Sequence, residues 1–197
     1  MLTQQQLDHY RQIPEIAAAL AGYSDAFCRS VLTILYLEGG LRDDGGLNNV
    51  ASDRGGLTKY GISQRAYPKT DIANLKIGTA IRYYYRDYWE PMHCDELNSG
   101  VALMLFDGAV QHGINSMTRI VQRTTGAGVD GLFGARTLKQ CLAILPNLFI
   151  CELISRRGYR YARICLDDPK QLPNLKGWMN RLGHITERCY AEVYRGA

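Results

Sequence analysis

The sequence predicts an α-rich fold, and three observations carry that prediction. Apolar residues recur at helical spacing through most of the 197 residues. Helix-ending residues fall between those runs, at Pro14, Gly39, Gly40 and Pro91. A stretch that breaks the helical rhythm, residues 41–60, is punctuated by glycine and reads as a loop or a short hairpin.

Taken in order, residues 2–21 hold one helix or two, broken near Pro14. "SDAFCRSVLTILYLEGG" is the clearest helix. Ser24 or Asp25 can cap its start, Phe27, Val31, Ile34 and Leu35 keep its period, and Gly39 and Gly40 end it. "IANLKIGTAIRYYYRDYWEP" carries another helix, stopped at Pro91. "SGVALMLFDGAVQHGI" is apolar on nearly every side, which suits a central buried helix. A helix over about residues 116–125 follows. "GAGVDGLFGARTLKQCLAIL" then gives a Gly-rich turn and a helix. "NLFICELISRRGYRYARICL" and "LKGWMNRLGHITERCYAEVY" are the last two helices. With no long linker, repeat or low-complexity tract, two closely packed helical lobes are expected, dividing near residues 115–128.

The bulk numbers exclude little. A net charge of +4 is a mild basic bias. It suits an anionic polymer, nucleic acid or cell wall, and equally a soluble protein with a few extra arginines. The six cysteines form no C-x-x-C pair, so zinc and thioredoxin-like readings lack support. Buried free thiols are the expectation. The N-terminus has an early acid, no basic leader and a short apolar run. No stretch approaches the roughly 20 apolar residues of a membrane span. Synthesis in the cytoplasm without a signal peptide, and no stable membrane insertion, are therefore expected.

The segment "EGGLRDDGGLNNVASDRGGLTKYG" carries the chemistry. Glu38 sits where a helix ends, and that end carries partial negative charge. Leu35, Leu37 and Leu41 add desolvation. Both effects favour a protonated carboxyl, the form a general acid needs. Asp53 follows after a loop. A second carboxylate can hold water or steady an oxocarbenium ion, and two such carboxylates are what glycoside hydrolysis requires. Thr58 is near enough in sequence to bond the same water. Glycines such as Gly55 and Gly56 let backbone and substrate approach. The plainer alternative is a helix-end Glu and a turn Asp.

Four motifs in succession decide between these readings. "EGG", "DRGGLTKYGIS", "YRDYWEP" and "FDGAVQHG" together resemble glycoside hydrolase family 108, the phage and bacterial N-acetylmuramidases. "VDGLFGARTL" and "GWMNRL" look like the small helical peptidoglycan-binding domain that usually follows. The resemblance implies a lysozyme-like fold, with an N-terminal helical extension over 1–27, a catalytic domain over 28–117 and a peptidoglycan-binding domain over 118–197. It implies hydrolysis of the β-1,4 bond between N-acetylmuramic acid and N-acetylglucosamine. Glu38 matches the catalytic glutamate, Asp53 the acid before Gly-Gly, and Thr58 the threonine after it. Asp53 lies further behind the glutamate than the pattern has it, so "LRDDGGLNNV" reads as an insertion, and Asp43 and Asp44 become rivals of Asp53. Leu41 stands where the pattern has an aromatic, and Gln111 where it has Asn.

The resemblance also implies partners and place. Peptidoglycan glycan strands are the expected substrate, with the protein acting in the periplasm or wall as a monomer, and a holin or secretion machinery giving access. No nucleic-acid partner, cofactor or metal is expected. The alternatives are a non-catalytic wall-binding or secretion-helper protein on the same fold, and a chitinase-like hydrolase.

Other residues carry weaker readings. Sugar rings stack on aromatic faces, and "RYYYRDYWEP" crowds five aromatics into seven residues. Most of these are expected in packing, with Tyr60 and Trp89 as candidate groove residues. Asp87 and Glu90 read as partners of Arg or N–H groups. Asp107 reads as a satisfied buried acid or as an acid orienting the glycine loop, and Gln111 as a substrate contact. Arg156, Arg157, Arg160 and Arg163 crowd one helix and read as a solvated basic face or an attractor of anionic polymer.

Overall fold

The structure is a computed structural model, and it describes residues 2–48 and 56–195. It is α-rich, as the periodicity predicts. Two compact units divide the chain, Met1–Asp87 and Tyr88–Ala197.

The first unit begins with α1 (Gln4–Gln12) and α2 (Pro14–Leu20), separated at the predicted proline. Thr3 and Gln6 close a capping box on α1, each side chain bonding the other's backbone N–H. Pro14 opens α2, a position where its missing donor costs nothing. α3 (Asp25–Leu37) starts on Ser24, whose hydroxyl accepts from the Phe27 N–H at 3.2 Å. Residues Phe27 to Leu35 of α3 are all buried. A two-stranded antiparallel hairpin follows, β1 (Thr58–Lys59) with β2 (Ile62–Ser63), pairing Thr58 with Ser63 and Lys59 with Ile62. α4 (Ile77–Tyr84) packs on α2. It is shorter than the sequence suggests. The α-helix stops at Tyr84, a single π turn covers Tyr85–Trp89, and Pro91 lies inside a 3-10 turn, Glu90–Met92. Proline is tolerated early in that turn because the N–H there has no partner to lose.

The second unit is built round α5 (Ser99–His112). Gly100 to Ala109 are buried without interruption, which answers the prediction of a helix apolar all round. α6 (Ile114–Thr125), α8 (Pro146–Asp167) and α9 (Leu172–Val193) all pack on it, and α7 (Ala135–Leu142) packs on α6. This packing explains why the compact units part at residues 87 and 88, not near 115–128. α5 shares its core with α6, α8 and α9 and so belongs with the helices that follow it. The turn before α7 is held by its own side chains. Asp130 accepts from Gln122 at 2.7 Å and from the Leu132 N–H at 2.8 Å, while Gln122 accepts from the Gly131 N–H at 2.9 Å.

All six cysteines are unpaired. Cys28, Cys94, Cys141, Cys165 and Cys189 are buried and Cys151 is exposed. No single helix among the described residues is long and apolar enough to cross a membrane. α7 and α8 pass that test only as a pair, bent by 117°.

Candidate active site

Glu38 caps the C-terminus of α3, and the backbone around it is fixed in detail. Gly39 takes the left-handed conformation, φ +71°. Its N–H bonds the Tyr36 carbonyl at 3.1 Å, and the Gly40 N–H bonds the Leu35 carbonyl at 2.7 Å. These two bonds form a Schellman motif, which satisfies carbonyls that a helix end otherwise leaves open. The helix therefore stops at a defined residue, and Glu38 leaves it half-buried, not drawn into the core.

The hairpin closes against this carboxylate. Its two-residue turn is Tyr60–Gly61, with φ of +54° and +74°. Positive φ at both central positions makes it a type I′ turn, whose twist suits a tight hairpin. Tyr60 is an unusual occupant, because a bulky side chain is strained at positive φ. Hydrogen bonds at and beside the turn hold it. The Tyr60 N–H reaches the Gly45 carbonyl at 2.7 Å, its carbonyl accepts from the Tyr84 hydroxyl at 3.0 Å, and the Asn48–Thr58 bridge ties the strand to the preceding loop. Gly61 then lies directly against the glutamate. A Cβ at Gly61 would come within 2.8 Å of Glu38 Cγ and would also strike the Tyr84 hydroxyl. Glycine is required there twice over, by the turn and by the contact.

The other predicted residues fall differently. Asp53 and Gly55 lie outside the described residues. Thr58 stands on β1, half-exposed, and its hydroxyl donates to the Gly56 carbonyl at 3.3 Å. Asp44, one rival of Asp53, accepts from the Gly46 N–H at 2.8 Å, an Asx-type turn bond that gives it a structural task. Asp43 is exposed. Tyr60 is half-exposed, and burial raises the pKa of its phenol.

Trp89 is not a groove residue. It is fully buried in the second unit, edge-on to Phe106 with centroids 5.4 Å apart. Asp107 and Gln111 are likewise spent on packing. Asp107 is fully buried and bridged by Arg157 and by Arg181, the latter at 2.8 Å. Burial alone would raise its pKa, but the two guanidinium groups outweigh it and hold the carboxyl below its usual range. Gln111 accepts from the Tyr161 hydroxyl and from Arg157. Asp107 is thus a satisfied buried acid, and the Gln111 carbonyl oxygen is engaged within the second unit. Asp87 is the Arg partner expected of it, held by Arg86 at 2.6 Å and by the Tyr67 hydroxyl at 2.7 Å.

Sequence reasoning missed Gly61 and Tyr84. Gly61 stands inside the motif "DRGGLTKYGIS", where a glycine following a short polar and aromatic run is the sequence signal for a turn. Tyr84 gave no signal beyond membership of an aromatic cluster. Tyr67 and Tyr83 form a further surface feature of the first unit, stacked in parallel at 4.4 Å with Arg86 over Tyr83. No three His, Cys, Asp or Glu side chains gather as a metal site among the described residues.

Comparisons with known proteins bear on this geometry. No curated protein matches the chain significantly. The solved structure of Brucella abortus SagA superposes with a TM-score of 0.72 at 24% identity, covering 85% of this chain and 95% of that one. At that identity the likeness speaks for the fold. Residues 34–113 match the family model described as Glycosyl hydrolase 108. This stretch runs from within α3 through α5 and contains Glu38, Thr58 and the Tyr60–Gly61 turn. The match supports a lysozyme-like glycoside hydrolase domain of the Glycosyl hydrolase 108 family over residues 34–113.

Proposed function

We propose that the protein is an N-acetylmuramidase that cleaves the β-1,4 bond between N-acetylmuramic acid and N-acetylglucosamine in peptidoglycan. The observation that carries the proposal is the placement of Glu38. It is a half-buried carboxyl at a fixed helix end, closed in by a strained glycine turn, inside the stretch that matches the hydrolase family.

In this reading Glu38 protonates the glycosidic oxygen as the bond to the anomeric carbon breaks. Water then attacks the oxocarbenium-like centre, with Asp53 and Thr58 managing the water or the positive charge. The substrate places the reaction in the periplasm or wall, reached through a holin or secretion machinery. Residues 118–197 would add wall affinity.

Product analysis tests the bond directly. Purified sacculi digested with the protein should release soluble muropeptides ending in reducing N-acetylmuramic acid, read by mass spectrometry after borohydride reduction. Reducing N-acetylglucosamine ends, cleaved stem peptides or no release would each refute the proposal. Release from chitin at the same rate would replace it with the chitinase-like alternative.

A further inference from the structure

The second unit holds a cavity of about 700 Å³ between α6 and α8, far richer in arginine than a solvated helix face needs to be. Arg119 and Arg123 of α6 line one wall, and Arg156, Arg160 and Arg163 of α8 the other, against a single acid, Glu152. Within each helix the arginines stand three or four residues apart. Like charges at that spacing repel and destabilise a helix.

Little on the protein offsets them. Arg163 reaches Asp167 at 3.4 Å, in an exposed pair. Among the described residues Arg119 bonds neutral oxygens, the Asn115 side chain and the carbonyls of Val129 and Asp130, with the Asp130 carboxylate near enough to feel its charge. Arg160 reaches the Ser116 hydroxyl at 3.4 Å. The Nε atoms of Arg156 and Arg160 are shielded from solvent without a hydrogen-bond acceptor. A guanidinium with spare donors, beside others of the same charge, is suited to hold an anion. Arg157 of the same helix shows the contrast, since it turns inward and is consumed by Asp107.

We infer that the groove between α6 and α8 binds a polyvalent phosphate ligand. Donors arrive from two facing helices, so they suit tetrahedral phosphate oxygens better than the two coplanar oxygens of a carboxylate. The excess of positive charge calls for more than one negative charge, and the volume has room for linked phosphates. The inference rests on the second unit alone and is independent of the chemistry at Glu38.

Calorimetric titration of the whole protein with inorganic pyrophosphate tests it, with citrate as a carboxylate of similar charge. Saturable pyrophosphate binding is expected, weakening as salt rises. Arg156→Gln and Arg160→Gln should each weaken it roughly tenfold or more, the loss of one charged hydrogen bond. Arg136→Gln, outside the cavity lining, should leave it unchanged. Thermal melts should show both groove variants folded, with stability equal or higher because a repulsion has been removed. No pyrophosphate binding, or equal losses in all three variants, would overturn the site. Citrate bound as tightly as pyrophosphate would overturn the choice of phosphate.

Discussion

Two carboxylates, Glu38 in the first unit and Asp107 in the second, sit in contrasting surroundings, and the proposed reaction gives them opposite uses. Asp107 is sealed from water and bridged by two arginines, so it stays ionised and serves as an anchor for α8 and α9. Glu38 stands half-buried where a helix ends, with Gly61 packed against its side chain. An anchor must not change its protonation state, whereas a general acid must do so in every turnover. The difference lies in what the fold packs beside each carboxyl, not in the carboxyl itself.

The sharpest way to test this contrast is to neutralise each acid without changing its size. Glu38→Gln keeps the shape and removes the transferable proton. The rate of sacculus clearing should fall about 10²- to 10⁴-fold, with circular dichroism and melting temperature unchanged. A folded Glu38→Gln protein that clears sacculi at the parent rate would end the catalytic assignment. Asp107→Asn should do the reverse. It leaves the buried Arg157 without its carboxylate, a loss on the order of 3–5 kcal/mol of stability, read by urea denaturation. Activity should then decline only with the folded fraction. Stability equal to the parent would show that Asp107 is no anchor.

Two smaller effects refine the comparison. Gly61→Ala places a methyl group against Glu38 at a positive φ. It should lower the clearing rate roughly 10- to 100-fold through misplacement of the acid, with a stability loss of about 1–2 kcal/mol from the backbone conformation alone and more from the contacts. An unaltered rate would mean that the contact does not position Glu38. His112 lies near the Asp107 cluster, its ring 5.2 Å from Tyr161. Burial, aided by the charges of Arg157 and Arg160, lowers its pKa to about 3 from 6.5. Between those values the unfolded chain binds a proton that the folded one refuses, so stability present above pH 6.5 drains away as the pH falls toward 3. His112→Gln should therefore flatten the fall in melting temperature between pH 7 and pH 4. An identical slope in parent and variant would remove His112 as its source.

Where local chemistry decides structure, the sequence was readable. Pro14 divides the first two helices, Ser24 caps the third, and the unbroken apolar run of α5 marks it as central. Glu38 at the end of α3 was legible for the same reason, since a glycine pair ends helices in a known way. Pairings across long separations were not. Nothing in the spacing of Arg156, Arg157, Arg160 and Arg163 tells which one turns inward, because its partner Asp107 lies 50 residues away. Trp89 looked like a sugar platform because aromatic composition does not reveal which ring is buried. The turn at Tyr60 was hidden by its residue type, since local preference would put Asn or Gly there. The division into compact units at residues 87 and 88 is not legible in the sequence, because core sharing by α5 is a tertiary fact.

The cysteines give the two units separate reporters. Burial raises the thiol of Cys141 to about 12 and pushes those of Cys94 and Cys189 well above their ordinary value, while Cys28 is raised too. A maleimide or disulfide reagent attacks the thiolate, so these four are silent until the surrounding helices open. Cys28 belongs to the first unit, and Cys94, Cys141 and Cys189 to the second. Labelling kinetics followed by peptide mass spectrometry would thus time the opening of each unit in one unmodified chain, with exposed Cys151 as an internal standard for reagent strength.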